Sequence, residues 1–133
     1  MGNGRRRQAR ARRGGLVTGP VPHREVQDWI RAADAGALPS YYEGCSVALL
    51  EMLAGGLFTL AHDVGNAADV IRPGANGEIV PRDAGAWAEA LERALARPRG
   101  RVLALGAEFH WSAVVERTER VYRAAIAARN AAS

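Results

Sequence analysis

The order of apolar segments along the chain constrains the fold more than any other feature. Short apolar runs with little polar alternation recur, and most are followed by a segment whose apolar residues have helical spacing. A strand without a polar face is buried on both sides, and strands separated by helices pair in parallel. The sequence therefore predicts an α/β fold with a parallel, Rossmann-like sheet flanked by helices, and with helices at the C-terminal end.

Glycine and proline turns set the limits of the predicted elements. Strands are predicted at residues 16–18, 35–38, 57–61 and 77–80, and helices at residues 46–53, 67–71, 84–96 and 112–128. One further helix carries Val26, Trp29 and Ile30 on its apolar face. Trp29, Trp87 and Trp111 all lie on apolar helical faces, so we expect them in the core and not as stacking platforms for a ligand.

The basic character of the chain is confined to its first residues. Six of the 18 basic residues lie in the first thirteen positions, which contain no acid: Arg5, Arg6, Arg7, Arg10, Arg12 and Arg13. The remaining 12 are outnumbered by 14 acidic residues, so the pI of 10.2 does not indicate nucleic-acid binding by the whole chain. We expect residues 1–15 to be an Arg-rich remnant of a strand–helix unit, with residues 5–13 as the exposed face of a short helix, and residues 16–133 to form one domain.

The cysteine count and the apolar runs exclude several classes of protein. The single cysteine, Cys45, cannot form an internal disulfide, and no second thiol or cluster of histidines offers a zinc ligand set. No apolar run reaches the roughly 18 residues of a membrane span, and the Arg-rich start lacks the apolar stretch of a signal peptide. We expect a cytoplasmic chain with no metal and no cofactor.

The segment between the second and third predicted strands carries the most chemical information. Glu43 precedes a predicted helix and Glu51 lies about two turns into it, which separates the two carboxylates by roughly 12 Å along the helix axis. Unpaired N–H groups at a helix start attract an anion such as a diphosphate, and Gly44 would let the ligand approach the backbone. A carboxylate accepts hydrogen bonds from two adjacent hydroxyls. Without its context, this spacing equally fits a capping glutamate and an exposed helix glutamate.

Seven ordered pieces of the sequence resemble one known pattern. They are Val17-Thr18-Gly19, Ala33-Asp34 with Leu38-Pro39-Ser40, Glu43-Gly44 with Glu51, Ala54-Gly55-Gly56-Leu57, Asp63-Val64-Gly65, Gly74-Ala75-Asn76-Gly77, and Phe109-His110-Trp111 with Tyr122. Together they resemble the C-terminal, donor-binding domain of retaining glycosyltransferases with the two-domain GT-B fold, of the group 1 or family 4-like type. The similarity covers roughly residues 19–122.

The resemblance implies a role for each residue of the Glu43 segment. Glu51 would bind the ribose of a nucleotide-sugar donor, Glu43 would bind the transferred sugar as the catalytic-site residue, and the backbone amides of Gly44, Cys45 and Ser46 would face the diphosphate and sugar. Residues 19–21 would lie near the base. Transfer would retain anomeric configuration, with the leaving diphosphate stabilised by positive charge and not by a metal.

The same resemblance implies that much of the enzyme is missing from this chain. The acceptor domain and the basic residues that bind the diphosphate would precede it, so we expect a truncated domain that is inactive alone. A natural fragment, a misplaced start and a broken gene all stay open as its origin. The acceptor would be a sugar, a lipid or a small molecule, and the missing N-terminal domain could associate with a membrane surface. Two alternatives stay open: a non-catalytic or degenerate nucleotide-binding fragment, and a nucleic-acid-associated protein acting through its Arg-rich start. If the chain is a donor-binding domain, we expect no nucleic-acid partner.

The chain departs from the pattern of that family at two places. Phe58-Thr59-Leu60 stands where the pattern has a proline followed by two valines, and we expect Phe58 to be strand packing. His62 replaces a small hydroxyl residue and is either a ligand contact or a partly exposed structural histidine. Cys45 is expected to be a small packing residue and not a nucleophile, and His23 and His110 are expected to be structural.

Overall fold

The structure, a computed structural model, describes residues 10–12, 15–98, 100 and 102–131. The first described elements are an antiparallel pair, β1 (Arg10–Arg12) and β2 (Gly15–Val17), and helix α1 (His23–Ala32) follows them. Then β3 (Gly36–Leu38), α2 (Val47–Ala54), β4 (Thr59–Ala61), α3 (Ala67–Val70) and β5 (Gly77–Ile79) alternate. Helix α4 (Ala84–Leu95), a short 3-10 turn (Ala107–Phe109) and helix α5 (Trp111–Ala131) complete the described elements.

The strands β3, β4 and β5 form a parallel sheet in that order. Residues of β3 and β4 pair from Gly36 with Thr59 to Leu38 with Ala61. The central strand β4 is completely buried, as expected for a strand that needs no polar face. The α/β fold class predicted from the sequence is thereby confirmed.

Two apolar clusters cover the two faces of this sheet. Ala61 contributes to one cluster, with Leu49 and Leu53 of α2 and Ala67, Val70 and Ile71 around α3. Leu60, the preceding residue, contributes to the other, with Phe58, Val80 and Ala90 and Ala94 of α4. Successive residues of a strand point to opposite faces, so β4 connects the two clusters, and Phe58 is core packing as expected.

Local side-chain bonds fix where the helices begin. The Ser46 hydroxyl oxygen accepts a hydrogen bond from the Leu49 N–H at 3.3 Å, and an Asp83 carboxylate oxygen accepts one from the Ala86 N–H at 2.8 Å. Both are N-cap interactions, which satisfy a donor that the helix itself leaves unpaired. The helices therefore begin within one residue of their predicted starts at residues 46 and 84.

Several sequence-based expectations are wrong or lie outside the described residues. Arg10–Arg12 form a strand and not the predicted helix, while the rest of the predicted helix lies outside the described residues. Trp29 and Trp111 are 49% and 79% exposed and are not core residues. Trp87 does pack against the cluster around Leu60.

Helix α5 presents an apolar face to solvent. Its large exposed apolar side chains are Trp111, Val115, Val121, Tyr122 and Ile126. The helical periodicity predicted there is present, but no described element buries that face. None of the described helices combines the length and the hydropathy needed to cross a membrane.

Candidate functional site

Three loops leave the sheet at its carboxyl edge. Residues 39–46 follow β3, residues 62–66 follow β4, and residues 80–83 follow β5. In open α/β sheets ligands bind at this edge, where loops meet the N-termini of helices. The segment that carries Glu43 therefore lies where the sequence predicted it.

The Glu43 loop is held in place by the two neighbouring loops. Arg82 Nη2 donates a hydrogen bond to the Tyr41 carbonyl oxygen at 3.0 Å, and its guanidinium carbon lies 4.9 Å from the centre of the Tyr41 ring. At Gly65, with φ +56°, a Cβ atom would lie 2.8 Å from the Gly44 carbonyl oxygen and 3.0 Å from Glu43 Cβ. Only glycine tolerates both the backbone angle and this approach.

The N-terminus of α2 retains a subset of the expected amide donors. The Ser46 N–H donates to Asn66 Oδ1 at 2.9 Å, so this donor is already engaged in the structure. The Leu49 and Leu50 N–H groups donate to the hydroxyl and carbonyl oxygens of Ser46. Within the described residues, no group accepts from the N–H of Cys45, Val47 or Ala48. These three donors, at the positive end of the helix dipole, are available to an anion.

The two glutamates are both half-buried. Glu51 has a side chain that is 23% exposed, and His23 Nδ1 lies 3.7 Å from its Oε1 atom. His23 is the first residue of α1 and is itself largely exposed. The sequence predicted a structural histidine here. The signal for a place near the site was its position at a helix start, two residues after the segment 19–21 that the resemblance puts near the base.

Cys45 does not pack as expected. It is an exposed free thiol on the loop before α2. Cys45 belongs to neither of the two apolar clusters. In the part of the chain that the structure describes, no group of three His, Cys, Asp or Glu residues could hold a metal ion.

His62 is buried, contrary to the expectation of a partly exposed histidine. It is 4% exposed, and its Nδ1 atom lies 2.8 Å from the Val80 carbonyl oxygen. The Trp87 ring packs edge-on against the imidazole at 5.1 Å between centroids, and the Tyr41 ring does so at 5.9 Å. His62, in the loop after β4, thus contacts both the loop after β3 and the loop after β5 at the carboxyl edge of the sheet.

A family of known proteins has the same sequence pattern. The family model described as Glycosyl transferases group 1 matches residues 1–97. The chain belongs to this glycosyltransferase family. The fold and the recognition from sequence are therefore confirmed, and the family transfers sugars from a donor to an acceptor.

Individual glycosyltransferases resemble the chain over most of its length. A D-inositol 3-phosphate glycosyltransferase of Streptosporangium roseum is 35% identical over 84% of this chain and 27% of its own length. A putative teichuronic acid biosynthesis glycosyltransferase, TuaC of Bacillus subtilis, is 36% identical over 70% of this chain and 24% of its own. The chain thus spans about a quarter of these curated relatives.

A solved structure shows the same fold. The sucrose-phosphate synthase of Thermosynechococcus elongatus superposes with a TM-score of 0.67 and 33% identity, over 83% of this chain and 30% of the synthase chain. The match is to a GT-B-like glycosyltransferase fold. The individual roles of Glu43, Gly44, Cys45, Ser46 and Glu51 stay predictions.

Proposed function

We propose that this chain binds a nucleoside-diphosphate sugar and forms the donor-binding part of a retaining glycosyltransferase. One observation carries the proposal: unpaired amides at the N-terminus of α2 lie at the carboxyl edge of the sheet, with Glu43 just before them and Glu51 behind them in the same helix. An anion site flanked by two carboxylates matches a ligand with a central diphosphate and a sugar at each end.

The diphosphate would lie against the N-terminus of α2. The amides of Gly44, Cys45, Val47 and Ala48 would donate to its oxygens, and the helix dipole would add a favourable field for the negative charge. The Ser46 N–H would take part only if the Asn66 side chain moved away, because Asn66 Oδ1 accepts its hydrogen bond. As the sugar–phosphate bond breaks, these fixed donors would stabilise the departing diphosphate without a metal.

The two glutamates would bind hydroxyl groups at either end of the donor. Glu51, which lines the side of α2 near β3, would accept hydrogen bonds from the ribose. Glu43, on the loop held by Gly65, would bind the transferred sugar. We propose no cofactor beyond this substrate, an acceptor that is a sugar, a lipid or a small molecule, and a cytoplasmic setting.

Binding of nucleoside diphosphates and their sugars to the full chain tests this proposal. Calorimetric titration with UDP, GDP and ADP, and with a sugar nucleotide of each, is expected to give saturable binding for one base, at 1:1 stoichiometry. Transfer to an acceptor is not expected from this chain alone, because it spans about a quarter of its relatives. Absence of binding for all three bases and their sugars would refute the proposal.

A glycine substitution tests the position of the Glu43 loop. Gly65→Ala is expected to weaken binding of the sugar nucleotide several-fold, because the new Cβ would push on the Gly44 carbonyl oxygen and on Glu43. The matched control is Gly74→Ala, where φ is +75° and nothing lies within 4 Å. Both variants carry the backbone strain of about 1–2 kcal/mol for a left-handed residue. Gly65→Ala adds the clash with the Glu43 loop, so it should lower the unfolding midpoint somewhat more than Gly74→Ala, and only Gly65→Ala should impair binding at a temperature where both variants are folded. Equal binding by the two variants would show that Gly65 does not position Glu43.

A further inference from the structure

A second cavity opens at the carboxyl edge, beside the proposed donor site. It has a volume of about 310 Å³ and is lined by His62, Asp63, Ile79, Val80, Pro81 and Arg82. Its residues come from the ends of β4 and β5 and the loops that follow them. The proposed function leaves this cavity and its buried histidine without a role.

The hydrogen bond to Val80 defines the proton on the His62 ring. A carbonyl oxygen can only accept, so the 2.8 Å contact requires a proton on Nδ1 of His62. Trp87 Nε1, at 3.4 Å from the same nitrogen, then faces a protonated atom and cannot donate to it. In the neutral imidazole, Nε2 is therefore left as a hydrogen-bond acceptor.

The Nε2 atom of His62 has no partner among the described residues. By distance and angle alone, no fully buried side-chain nitrogen or oxygen in the described part of the chain lacks a neighbour at hydrogen-bonding geometry. Although His62 as a residue is only 4% exposed, its Nε2 atom must therefore reach solvent, and the cavity is the space that His62 lines. A held imidazole thus offers one acceptor atom to a ligand.

The cavity borders the loop that carries Glu43. Glu51 lines a groove beside β3 and α1, whereas the cavity lies at the ends of β4 and β5. Tyr41 of the Glu43 loop packs on His62, and Gly65, two residues after the cavity residue Asp63, lies against Glu43. A transferred sugar bound at Glu43 would therefore lie close to the residues of this cavity.

We propose that His62 is a specificity-determining residue that accepts a hydrogen bond, through Nε2, from a hydroxyl of the transferred sugar. This inference rests on the proposed donor site. The ring is oriented by the hydrogen bond to Val80 and packs edge-on against the rings of Tyr41 and Trp87, so its position is fixed before the ligand arrives. A fixed acceptor selects for a hydroxyl at one position of the sugar and selects against a sugar that lacks it. The nucleotide part of the donor makes no contact with it.

The variant His62→Asn removes the proposed contact of Nε2 with the sugar and can keep the hydrogen bond to the Val80 carbonyl oxygen. The asparagine amide can donate to the Val80 carbonyl oxygen in place of Nδ1, while nothing replaces Nε2. Affinity is measured for a nucleoside diphosphate and for its nucleotide sugar, on the intact chain and on the variant. We expect about tenfold weaker binding of the nucleotide sugar and less than about twofold change for the nucleoside diphosphate.

His62→Ala is a second variant that tests the same contact. His62→Ala, which also removes the Val80 bond, should show the same difference between the two ligands even if it lowers stability. If His62→Asn weakens both ligands equally, or neither, the inference is overturned while the proposed function stands. If the intact chain binds neither ligand with any base, the proposed function fails and this inference fails with it.

Discussion

Replacing Leu60 with alanine is expected to lower the free energy of unfolding by about 3–4 kcal/mol. Leu60 is 0% exposed in the central strand, and it packs with Phe58, Val80 and Ala90 between the sheet and α4. The alanine leaves a cavity that the surrounding backbone cannot close, because the strands on both sides of β4 fix its position. Since a domain of this size is stable by only about 5–15 kcal/mol, the loss is a large part of the total.

Urea unfolding followed by circular dichroism measures this loss. Leu95→Ala is the matched control, because Leu95 is 59% exposed on α4 and the same atoms are removed there without a cavity. We expect that control to change the stability by less than about 0.5 kcal/mol. A loss below about 1 kcal/mol for Leu60→Ala would mean that the cluster around it is not closely packed.

The second large effect is expected from Gly77→Ala. A Cβ atom at this position would lie 2.3 Å from the Thr59 carbonyl oxygen, in the adjacent strand, and 3.3 Å from the Ile71 side chain. The carbonyl belongs to the backbone of β4 and cannot rotate away, so β4 and β5 must separate. We expect a loss near the upper end of the overpacking range, about 3 kcal/mol, and a midpoint of thermal unfolding lower by about 10 °C.

Gly44→Ala is the control for this substitution. Nothing lies within 4 Å of a Cβ at Gly44, and its φ is not in the left-handed region. Its effect on the unfolding midpoint is expected to be small. If Gly77→Ala unfolds at the same temperature as Gly44→Ala, then β4 and β5 do not approach as closely as described.

Helical and strand periodicity was sufficient to locate most of the fold. Strands predicted at residues 57–61 and 77–80 are Thr59–Ala61 and Gly77–Ile79. The difference at the start of β4 arises because apolar runs report burial and not pairing. Leu57 and Phe58 are buried, yet the paired strand begins only at Thr59.

Sequence periodicity failed where it was used to assign burial. Trp29 and Trp111 lie on apolar helical faces, but an apolar face is buried only if another element covers it. Within the described residues nothing covers Trp111, and Trp29 remains about half exposed. Periodicity identifies the face, whereas the partner depends on chain that is distant in sequence.

In the candidate site too, features that are local in the sequence could be predicted, whereas contacts between distant residues could not. The order of Glu43, the helix start and Glu51 is local, and it was read directly from the sequence. The contacts that shape the site are not local: Asn66 reaches the Ser46 N–H across 20 residues, and Arg82 reaches the Tyr41 carbonyl across 41. The contact between His23 and Glu51 also joins residues that are distant in sequence. No pattern along the chain specifies such pairs, because the sheet brings them together.

The effect of Glu51→Ala on binding of the preferred nucleoside diphosphate tests the central claim most directly. Loss of a carboxylate that accepts hydrogen bonds from the ribose should weaken binding at least about tenfold, since bonds to a charged group contribute about 1.5–3 kcal/mol. Glu89→Ala is the control, because Glu89 is an exposed helix glutamate on α4 that, among the described residues, forms an ion pair only with Arg93, at 3.8 Å. The account predicts a dissociation constant raised at least tenfold by Glu51→Ala and unchanged by Glu89→Ala. Equal affinity of both variants and the intact chain would contradict it.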